Sequence, residues 1–376
     1  MNIILFDTES ARKQLKPFTF TRPVCEMRLG LLSITEKWKA HFPDAQLSIL
    51  SSLYLMEKHH FQQEDDNIFI NGSLLPNEEI INEIKVLKTD EGLTHVDTVL
   101  AFRSVSFMSM YEVRSKEIDT PLRIIKRAWD LIRWNEEEIK NDIDLLKLTP
   151  SKVKDPHTVV YGEALYLGDN TNIRNASINT TKGPVVIGDN VEINEGAVIH
   201  GPVAIAKDSI ISISAKIRNN VSIGENCVVG GEVKDSVIFN NSNKSHEGYL
   251  GNSVIGEWCN FGAGTNVSNL KNNLSTVRIW DYQKHEYIDS GEQKLGLLMG
   301  DYSMCAIGTN FMTGSTVGVS ANVIEHPDKY IASFTWSKTE KYQLSRVLKK
   351  SNEFARLKGK TLSDAEILIL EYICTS

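Results

Sequence analysis

The fold is decided by residues 187–229, which read IGDNVEINEGAVIHGPVAIAKDSIISISAKIRNNVSIGENCVV. Eight positions spaced six residues apart in this stretch are all Ile or Val. They are Ile187, Ile193, Ile199, Ile205, Ile211, Ile217, Ile223 and Val229. The residue four places after each of the first seven is small: Val191, Ala197, Val203, Ser209, Ala215, Val221 and Cys227.

A period of six excludes the two commonest regular structures. An α-helix turns each residue by about 100°, so it would place residues six apart on opposite faces. A single strand alternates its faces every two residues and does not continue this long without a turn. Three short strands per coil, with stacked coils, explain the period, and the pattern predicts a parallel β-helix. Gly188 and Gly224 follow aliphatic positions, where we expect corners with unusual φ.

The repeat extends in both directions and has two interruptions. It precedes the run in a shifted phase at Leu167 and Ile173, and it resumes at Ile255 and again at Cys305. The interruptions are Phe239 to Leu250 and roughly Ser268 to Gly300. Insertions in a solenoid become loops on its side, and such loops often carry function.

The flanks follow other patterns, which divide the chain into residues 1–150, 151–330 and 331–376. Alternating strands and helices before the repeat predict a mostly parallel α/β domain. Two helices after it are expected to cap the open end of the solenoid. The predicted strands are Asn2–Phe6, Gln46–Leu50, Asn67–Ile70 and Thr94–Phe102. The predicted helices are Met27–Phe42, Asn77–Leu87, Pro121–Trp134, Ser345–Lys358 and Asp364–Ile373.

Composition narrows the function classes. The chain has 376 residues and a formal net charge of -7, which disfavours a nucleic-acid partner. Its five cysteines are scattered and lack CxxC spacing, so we expect reduced thiols in the cytosol. The N-terminus lacks a basic segment and a long apolar segment, and no run approaches a membrane span. We therefore expect a cytoplasmic protein with no membrane partner.

Two motifs resemble a known enzyme family. Residues 243–251 read NKSHEGYLG, and residues 260–266 read NFGAGTN. This pair resembles the acetyltransferase signature of the GlmU type, the bifunctional enzymes of UDP-N-acetylglucosamine synthesis. The N-terminal segments LKPFTFTRPV (residues 15–24) and NGSLLP (71–76) resemble a divergent bacterial branch of that family. The resemblance covers the whole chain.

The resemblance implies a fold and two activities. The fold is an α/β nucleotidyltransferase-like (Rossmann-like) domain, a left-handed parallel β-helix and a short C-terminal helical cap. The N-terminal domain would transfer a nucleotidyl group from UTP to N-acetylglucosamine 1-phosphate, with Mg²⁺. The β-helix would acetylate glucosamine 1-phosphate from acetyl-CoA. The product class is a cell-wall precursor, and the family assembles as a homotrimer with CoA between neighbouring subunits.

Seven β-helix residues match family site positions. His246 falls on the catalytic base, and an imidazole titrates near neutral pH, as deprotonation of a sugar amine requires. The resemblance assigns Arg218, Lys234, Tyr249 and Asn260 to the sugar phosphate, and Ala263 and Asn269 to acetyl-CoA. Two cations suit a phosphate dianion. With Lys244, Arg218 and Lys234 form a predicted local basic cluster in an acidic chain.

The N-terminal domain departs from the family pattern. The usual Gly-rich loop, whose amides cradle phosphates, is replaced by residues 7–16, DTESARKQLK, which contain no glycine. We expect Arg12, Lys16, Arg22 and Arg28 to bind the nucleotide instead. Asp7, directly after the first strand, is the candidate metal ligand.

Two other functions remain open. One is a nucleotidyltransferase for a different sugar 1-phosphate, such as a glucose-1-phosphate thymidylyltransferase, with a regulatory or oligomerising β-helix. The other is that the loop at residues 7–16 is only structural and the N-terminal domain has lost its activity. The expected partners of the chain are a small sugar phosphate and a nucleotide.

Overall fold

The N-terminal α/β unit (residues 1–149) contains a six-stranded mixed sheet. A computed structural model describes residues 1–324, 327–337 and 340–375 of the chain. Asn2–Phe6 lies at the centre of the parallel half of the sheet, with Gln46–Leu50 on one side and Asn67–Asn71 on the other. The remaining strands are Glu91–His95, Thr98–Ser104 and Arg114–Glu117, and Thr98–Ser104 is antiparallel to both of its neighbours. The sheet is therefore less parallel than the sequence predicts.

The described residues contain six α-helices. Three of the predicted elements, one strand and two helices, differ from the observed structure. Thr94–Phe102 is not one strand, because Val96 and Asp97 adopt positive φ and turn the chain into a hairpin. The predicted helix Met27–Phe42 begins only at Ile34, and Pro121–Trp134 is replaced by a later helix. The helices are α1 (Glu9–Gln14), α2 (Ile34–His41), α3 (Glu78–Lys85), α4 (Asp130–Leu145), α5 (Leu344–Leu357) and α6 (Asp364–Thr375). The 3-10 helices are Phe18–Phe20, Val24–Glu26, Leu53–Leu55 and Phe107–Tyr111.

Parallel strands then form the predicted β-helix, with three faces per coil. The first face contains Leu165–Leu167, Val185–Ile187, Val203–Ile205, Leu297–Met299, Ser315–Val317 and Tyr330–Ile331. The second contains Val159–Tyr161, Ser177–Asn179, Val198–His200, Asn266–Val267 and Asn310–Phe311. Lys216–Ile223, Glu232–Ile238 and Tyr249–Ile255 run around a corner from the second face to the first. The third contains Asn172–Ile173, Glu192–Ile193, Ile210–Ile211, Val228–Val229, Asn243–Lys244, Asn260–Phe261, Met304–Cys305, Asn322–Val323 and Thr335–Trp336, and Glu340–Lys341 pairs with its last strand.

The repeat positions form the interior of the solenoid, as predicted. Every Ile and Val of the eightfold series, and every small residue that follows four places later, is buried. The expected reason for the glycines is wrong, however. Neither Gly188 nor Gly224 has positive φ. A Cβ at Gly188 would come within 2.8 Å of the Lys207 backbone nitrogen, so glycine permits close stacking of successive coils.

Only one of the two interruptions is a long insertion. Residues 268–296 leave the solenoid and include the antiparallel pair Arg278–Asp281 and Glu286–Asp289. The segment from Phe239 to Leu250, predicted as a side loop, contributes the regular strand Asn243–Lys244 to the third face. Its irregularity is confined to the corner that follows.

The C-terminal helices pack along one corner of the solenoid, whereas the sequence predicts a cap over its end. In the early coils this corner is occupied by Asn190 and Asn226 in the left-handed conformation. In later coils Trp258, Tyr302 and Phe334 adopt the same conformation. These aromatic side chains share a buried cluster with α5 and α6, which offsets the strain of a bulky residue at positive φ.

The N-terminal unit and the β-helix share one apolar core. Helix α4 lies against the solenoid, and its Asn135 accepts hydrogen bonds from Gly30 N and Ser222 Oγ, at 2.8 and 2.7 Å. On the other side of the junction, Arg22 pairs with Asp301 and with Glu257, the latter at 3.2 Å. Asn135, Arg22 and Asp301 are all nearly inaccessible to solvent. The two parts are therefore joined by buried polar contacts as well as by apolar packing.

Candidate active site

A row of cations lies on the second face of the β-helix. Arg218, Lys234 and Gly251 occupy the same register position on three successive coils. Arg218 is paired with Glu232 at 2.6 Å, and Lys234 with Asp235 at 3.4 Å. Solvent-accessible ion pairs are worth about 0–1 kcal/mol, and both of these pairs are at least partly accessible, so a phosphate dianion can compete for the two cations.

Tyr249 and Asn269 lie beside this row. The Tyr249 ring folds across Gly251, where a Cβ would come within 2.3 Å of the phenol oxygen. Asn269 Nδ2 donates hydrogen bonds to Tyr249 Oη at 3.2 Å and to Asn252 Oδ1 at 2.6 Å. A phenol and two amide side chains therefore adjoin the cations, which is a suitable set of polar groups for a sugar.

His246 lies on the corner loop that leads into Tyr249, and its side chain is exposed. The same loop stacks on the loop of the next coil that carries Ala263, where Gly264 N donates to the Glu247 carbonyl at 3.0 Å. Only a glycine at position 248 allows this approach, because a Cβ atom there would lie 2.0 Å from the Thr265 carbonyl oxygen. The two GlmU-like motifs are therefore in direct contact, with His246 and Ala263 on adjoining exposed loops.

Two residues lie apart from this arrangement. Asn260 is on the third face, in register with Asn243. Lys244 was predicted to join the basic cluster, but it occupies an inward position in register with Val229 and is buried. Residue spacing alone does not reveal this, because a lysine at an aliphatic repeat position looks like an interruption of the pattern.

Gly251→Ala is expected to lower kcat/KM for glucosamine 1-phosphate in the proposed acetyl transfer by about tenfold. The new Cβ must displace the Tyr249 ring and break its hydrogen bond to Asn269, and one such bond is worth about 1 kcal/mol. Steady-state kinetics at saturating acetyl-CoA would measure this. Tyr249→Phe should produce a similar loss, and wild-type values for both variants would contradict the assignment of the tyrosine.

A second candidate site is a cleft of about 890 Å³ at the carboxyl ends of the parallel strands. Asp7 follows the first strand and Ser51 follows Gln46–Leu50, so both lie at the carboxyl edge of the parallel half of the sheet. Ligands of open α/β sheets bind outside the carboxyl ends of the strands. The opposite walls include Tyr282 from the insertion and Tyr372 from α6.

Asp7 and Arg12 form a buried network at the base of this cleft. Arg12 donates to Asp7 Oδ2 at 3.1 Å, to Ser51 Oγ at 2.9 Å and to Tyr54 Oη at 2.8 Å. The Asp7 carboxylate also accepts from Ser51 Oγ at 2.6 Å and from Val24 N at 3.0 Å. Burial raises the pKa of Asp7, and the nearby Arg12 opposes that rise.

These contacts do not fit a Mg²⁺ ion held by the protein through Asp7. Both carboxylate oxygens already accept hydrogen bonds. In the described ranges, no group of three or more His, Cys, Asp or Glu side chains could hold a metal ion. A protein usually holds Mg²⁺ through one or two carboxylates, together with water and substrate phosphates, and the carboxylate of Asp7 is already engaged by Arg12, Ser51 and Val24.

The four cations predicted to bind a nucleotide do not all lie in the cleft. Arg12 and Lys16 line the cleft, and burial lowers the pKa of Lys16, whose ammonium lies 4.5 Å from the Phe20 ring centre. Arg22 is held in the ion pairs with Asp301 and Glu257. Arg28 donates to the Leu31 carbonyl and lies 3.5 Å from Glu36. The structure thus brings two of the four together at the cleft.

The aromatic walls of the cleft are absent from the sequence-based assignment. Tyr54 and Tyr372 stack at 4.1 Å between ring centres, and Trp280 stacks on Tyr330 at 4.2 Å. These residues come from segments far apart in the chain. The only sequence signal is the concentration of aromatic residues in the second interruption.

Comparison with known proteins finds one family model and several similar sequences. Residues 3–149 match the family model described as sugar nucleotidyl transferase. A bifunctional sugar-1-phosphate nucleotidylyltransferase/acetyltransferase of Sulfurisphaera tokodaii is 36% identical over 144 residues, which are 38% of this chain and 35% of that protein. A bifunctional protein GlmU of Methanococcus aeolicus is 32% identical over 213 residues, 55% of this chain and 48% of that protein. Over these segments, the chain is similar to GlmU-type proteins.

The relationship has a limited extent. The match spans less than half the length of each of these two relatives. Among solved structures, a UDP-N-acetylglucosamine acyltransferase from Campylobacter jejuni matches at 14% identity with a TM-score of 0.31, covering 59% of this chain and 87% of that one. Separately, none of the helices in the described residues has the length and apolarity required to span a bilayer.

Proposed function

We propose that this GlmU relative is a bifunctional enzyme of sugar-nucleotide synthesis. Its β-helix would transfer the acetyl group of acetyl-CoA to glucosamine 1-phosphate. The observation that supports this best is the contact between the His246 loop and the Ala263 loop beside the row of Arg218 and Lys234. This contact supports the proposal because His246, Ala263 and the two cations would then serve one site as base, thioester contact and phosphate contacts.

The chemistry follows from these groups. Arg218 and Lys234 bind the phosphate and orient the sugar, and Tyr249 with Asn269 contacts its hydroxyls. The His246 imidazole accepts a proton from the sugar amine as the nitrogen attacks the thioester carbonyl. A C–N bond forms, the C–S bond breaks, and the proton is passed from the imidazole to the departing CoA thiolate. The products are N-acetylglucosamine 1-phosphate and CoA.

The test is an assay of CoA release by the purified chain. It is given acetyl-CoA with glucosamine 1-phosphate, and a thiol reagent detects free CoA. Release that depends on the sugar phosphate supports acetyl transfer, and glucosamine without phosphate is the matched control for the two cations. The absence of sugar-dependent release would contradict this half of the proposal.

The N-terminal cleft is proposed to perform nucleotidyl transfer. The family match to residues 3–149 and the position of the cleft at the carboxyl ends of the parallel strands support this. The sugar phosphate oxygen attacks the α-phosphorus of UTP, a P–O bond forms, and pyrophosphate leaves. Mg²⁺ enters as part of the substrate complex with the triphosphate.

Lys16→Met is expected to raise KM for UTP in the proposed nucleotidyl transfer by at least about tenfold, because a half-buried ammonium facing phosphates contributes about 1.5–3 kcal/mol. Pyrophosphate release with N-acetylglucosamine 1-phosphate would measure this. The control is Lys140→Met, which removes an exposed lysine of α4 paired with Glu136. Equal KM values for the two variants would remove Lys16 from the site.

Substrate choice separates this proposal from its alternative. Activity with dTTP and glucose 1-phosphate but not with UTP and N-acetylglucosamine 1-phosphate would favour a thymidylyltransferase. We further propose a cytoplasmic homotrimer that makes a cell-wall precursor, with CoA bound between neighbouring β-helices. Light scattering coupled to size exclusion would test the assembly, and a monomer would contradict a composite CoA site.

A further inference from the structure

The most unusual residue of the β-helix is Lys244, which lies inside it. The row of inward side chains on the third face runs Ile193, Ile211, Val229 and then Lys244. Only 4% of its surface is exposed. An ammonium in an apolar interior is costly unless its donors are satisfied. Its place in the core therefore requires a specific reason.

The ammonium is directed at the corner that carries His246. Lys244 Nζ donates hydrogen bonds to the backbone carbonyl of His246 at 2.9 Å and to that of Gly230 at 3.2 Å. Both of these acceptors are backbone carbonyl oxygens, rather than a carboxylate that would neutralise the charge. The lysine thus ties the His246 loop to the coil below it.

The coil below is built to admit this contact. Its corner is only Gly230–Gly231, between strands Val228–Val229 and Glu232–Ile238, whereas four residues form the corresponding corner after Ile211. A Cβ at Gly231 would lie 2.9 Å from both the Lys244 ammonium and the His246 carbonyl oxygen. A side chain at Gly231 would therefore occupy the place of the lysine head.

We propose that Lys244 is a positioning residue for acetyl transfer, holding the His246 backbone so that the imidazole is fixed for proton transfer. This inference rests on the acetyl-transfer half of the proposed function. A general base loses efficiency when its geometry is free to vary, even by about 1 Å. The lysine acts through the backbone of His246 and does not touch the substrate. Burial lowers the pKa of Lys244 to about 8, which is consistent with a charge kept in the core at a cost to stability.

The test compares Lys244→Met with wild type and with Ile211→Met, an apolar replacement in the same inward row. We expect kcat for acetyl transfer to fall by about 10- to 100-fold in Lys244→Met. KM for both substrates should change less than about threefold, because the sugar phosphate contacts are unaltered. The melting temperature should not decrease, since removing a buried charge relieves its desolvation. A purely structural lysine would instead lower the melting temperature and leave kcat intact.

One further readout, hydrogen exchange, separates this inference from the proposed function. Hydrogen exchange of the peptide containing residues 245–248 should be faster in Lys244→Met than in Ile211→Met, whether or not the chain acetylates a sugar. If wild type lacks acetyl transfer, the proposed function fails while the exchange result still reports on the contact. Unchanged exchange together with an unchanged kcat would overturn the positioning role.

Discussion

His246→Ala is expected to reduce kcat for acetyl transfer by about 10²–10⁴-fold, the usual contribution of a general base. The exposed imidazole lies on the loop that contacts the loop carrying Ala263, and removing it leaves in place Arg218 and Lys234, the proposed phosphate ligands. KM for glucosamine 1-phosphate should therefore remain close to the wild-type value. Free CoA measured over time at saturating substrates gives both constants.

The matched control for this change is His200→Ala. His200 is an exposed histidine that ends a strand on the second face of the solenoid, outside both motifs. It should retain full acetyl transfer, and both variants should retain nucleotidyl transfer. Equal rates for His246→Ala and wild type would exclude the histidine as the base.

Asp301→Ala is expected to lower the free energy of unfolding by about 3–5 kcal/mol, because it leaves the Arg22 guanidinium buried without its main partner. Asp301 also accepts hydrogen bonds from Thr21 Oγ at 2.7 Å and from Glu257 N at 2.9 Å. The change therefore removes several contacts at the junction between the N-terminal unit and the β-helix. Urea denaturation followed by tryptophan fluorescence would measure the loss.

Two variants make this prediction specific. Asp66→Ala removes an exposed carboxylate paired with Arg103, and an exposed pair is worth about 0–1 kcal/mol. The double change Arg22→Met with Asp301→Leu should recover most of the lost stability, because the buried charge is also removed. If Asp301→Ala were no more destabilising than Asp66→Ala, the ion pair would not stabilise the junction.

The candidate sites illustrate what residue patterns can reveal. His246, Tyr249 and Ala263 could be selected from two short motifs, and the structure places those motifs in contact. Arg22 looks the same as Arg12 in the sequence, since both are cations near the first strand. Only Asp301, distant in the chain, distinguishes them by drawing Arg22 into the junction.

The repeat pattern alone predicts the β-helix and the residues of its interior. A six-residue period is a local property, and each aliphatic residue needs only the coil above and below to be buried. The hydrophobic patterns of the first strand, Asn2–Phe6, and of helix α3 are short and regular, so these two elements could also be predicted from the sequence.

Three features depend on contacts between segments that are distant in the chain, and they are seen only in the tertiary structure. Lys244 lies inside the solenoid, because a short glycine corner one coil earlier leaves room for its ammonium group. The walls of the N-terminal cleft come from residues near positions 10, 54, 282 and 372. The C-terminal helices pack against a corner lined by Trp258, Tyr302 and Phe334. Apolar burial and charge pairing act on neighbours in space, so a pattern along the chain cannot specify these partners.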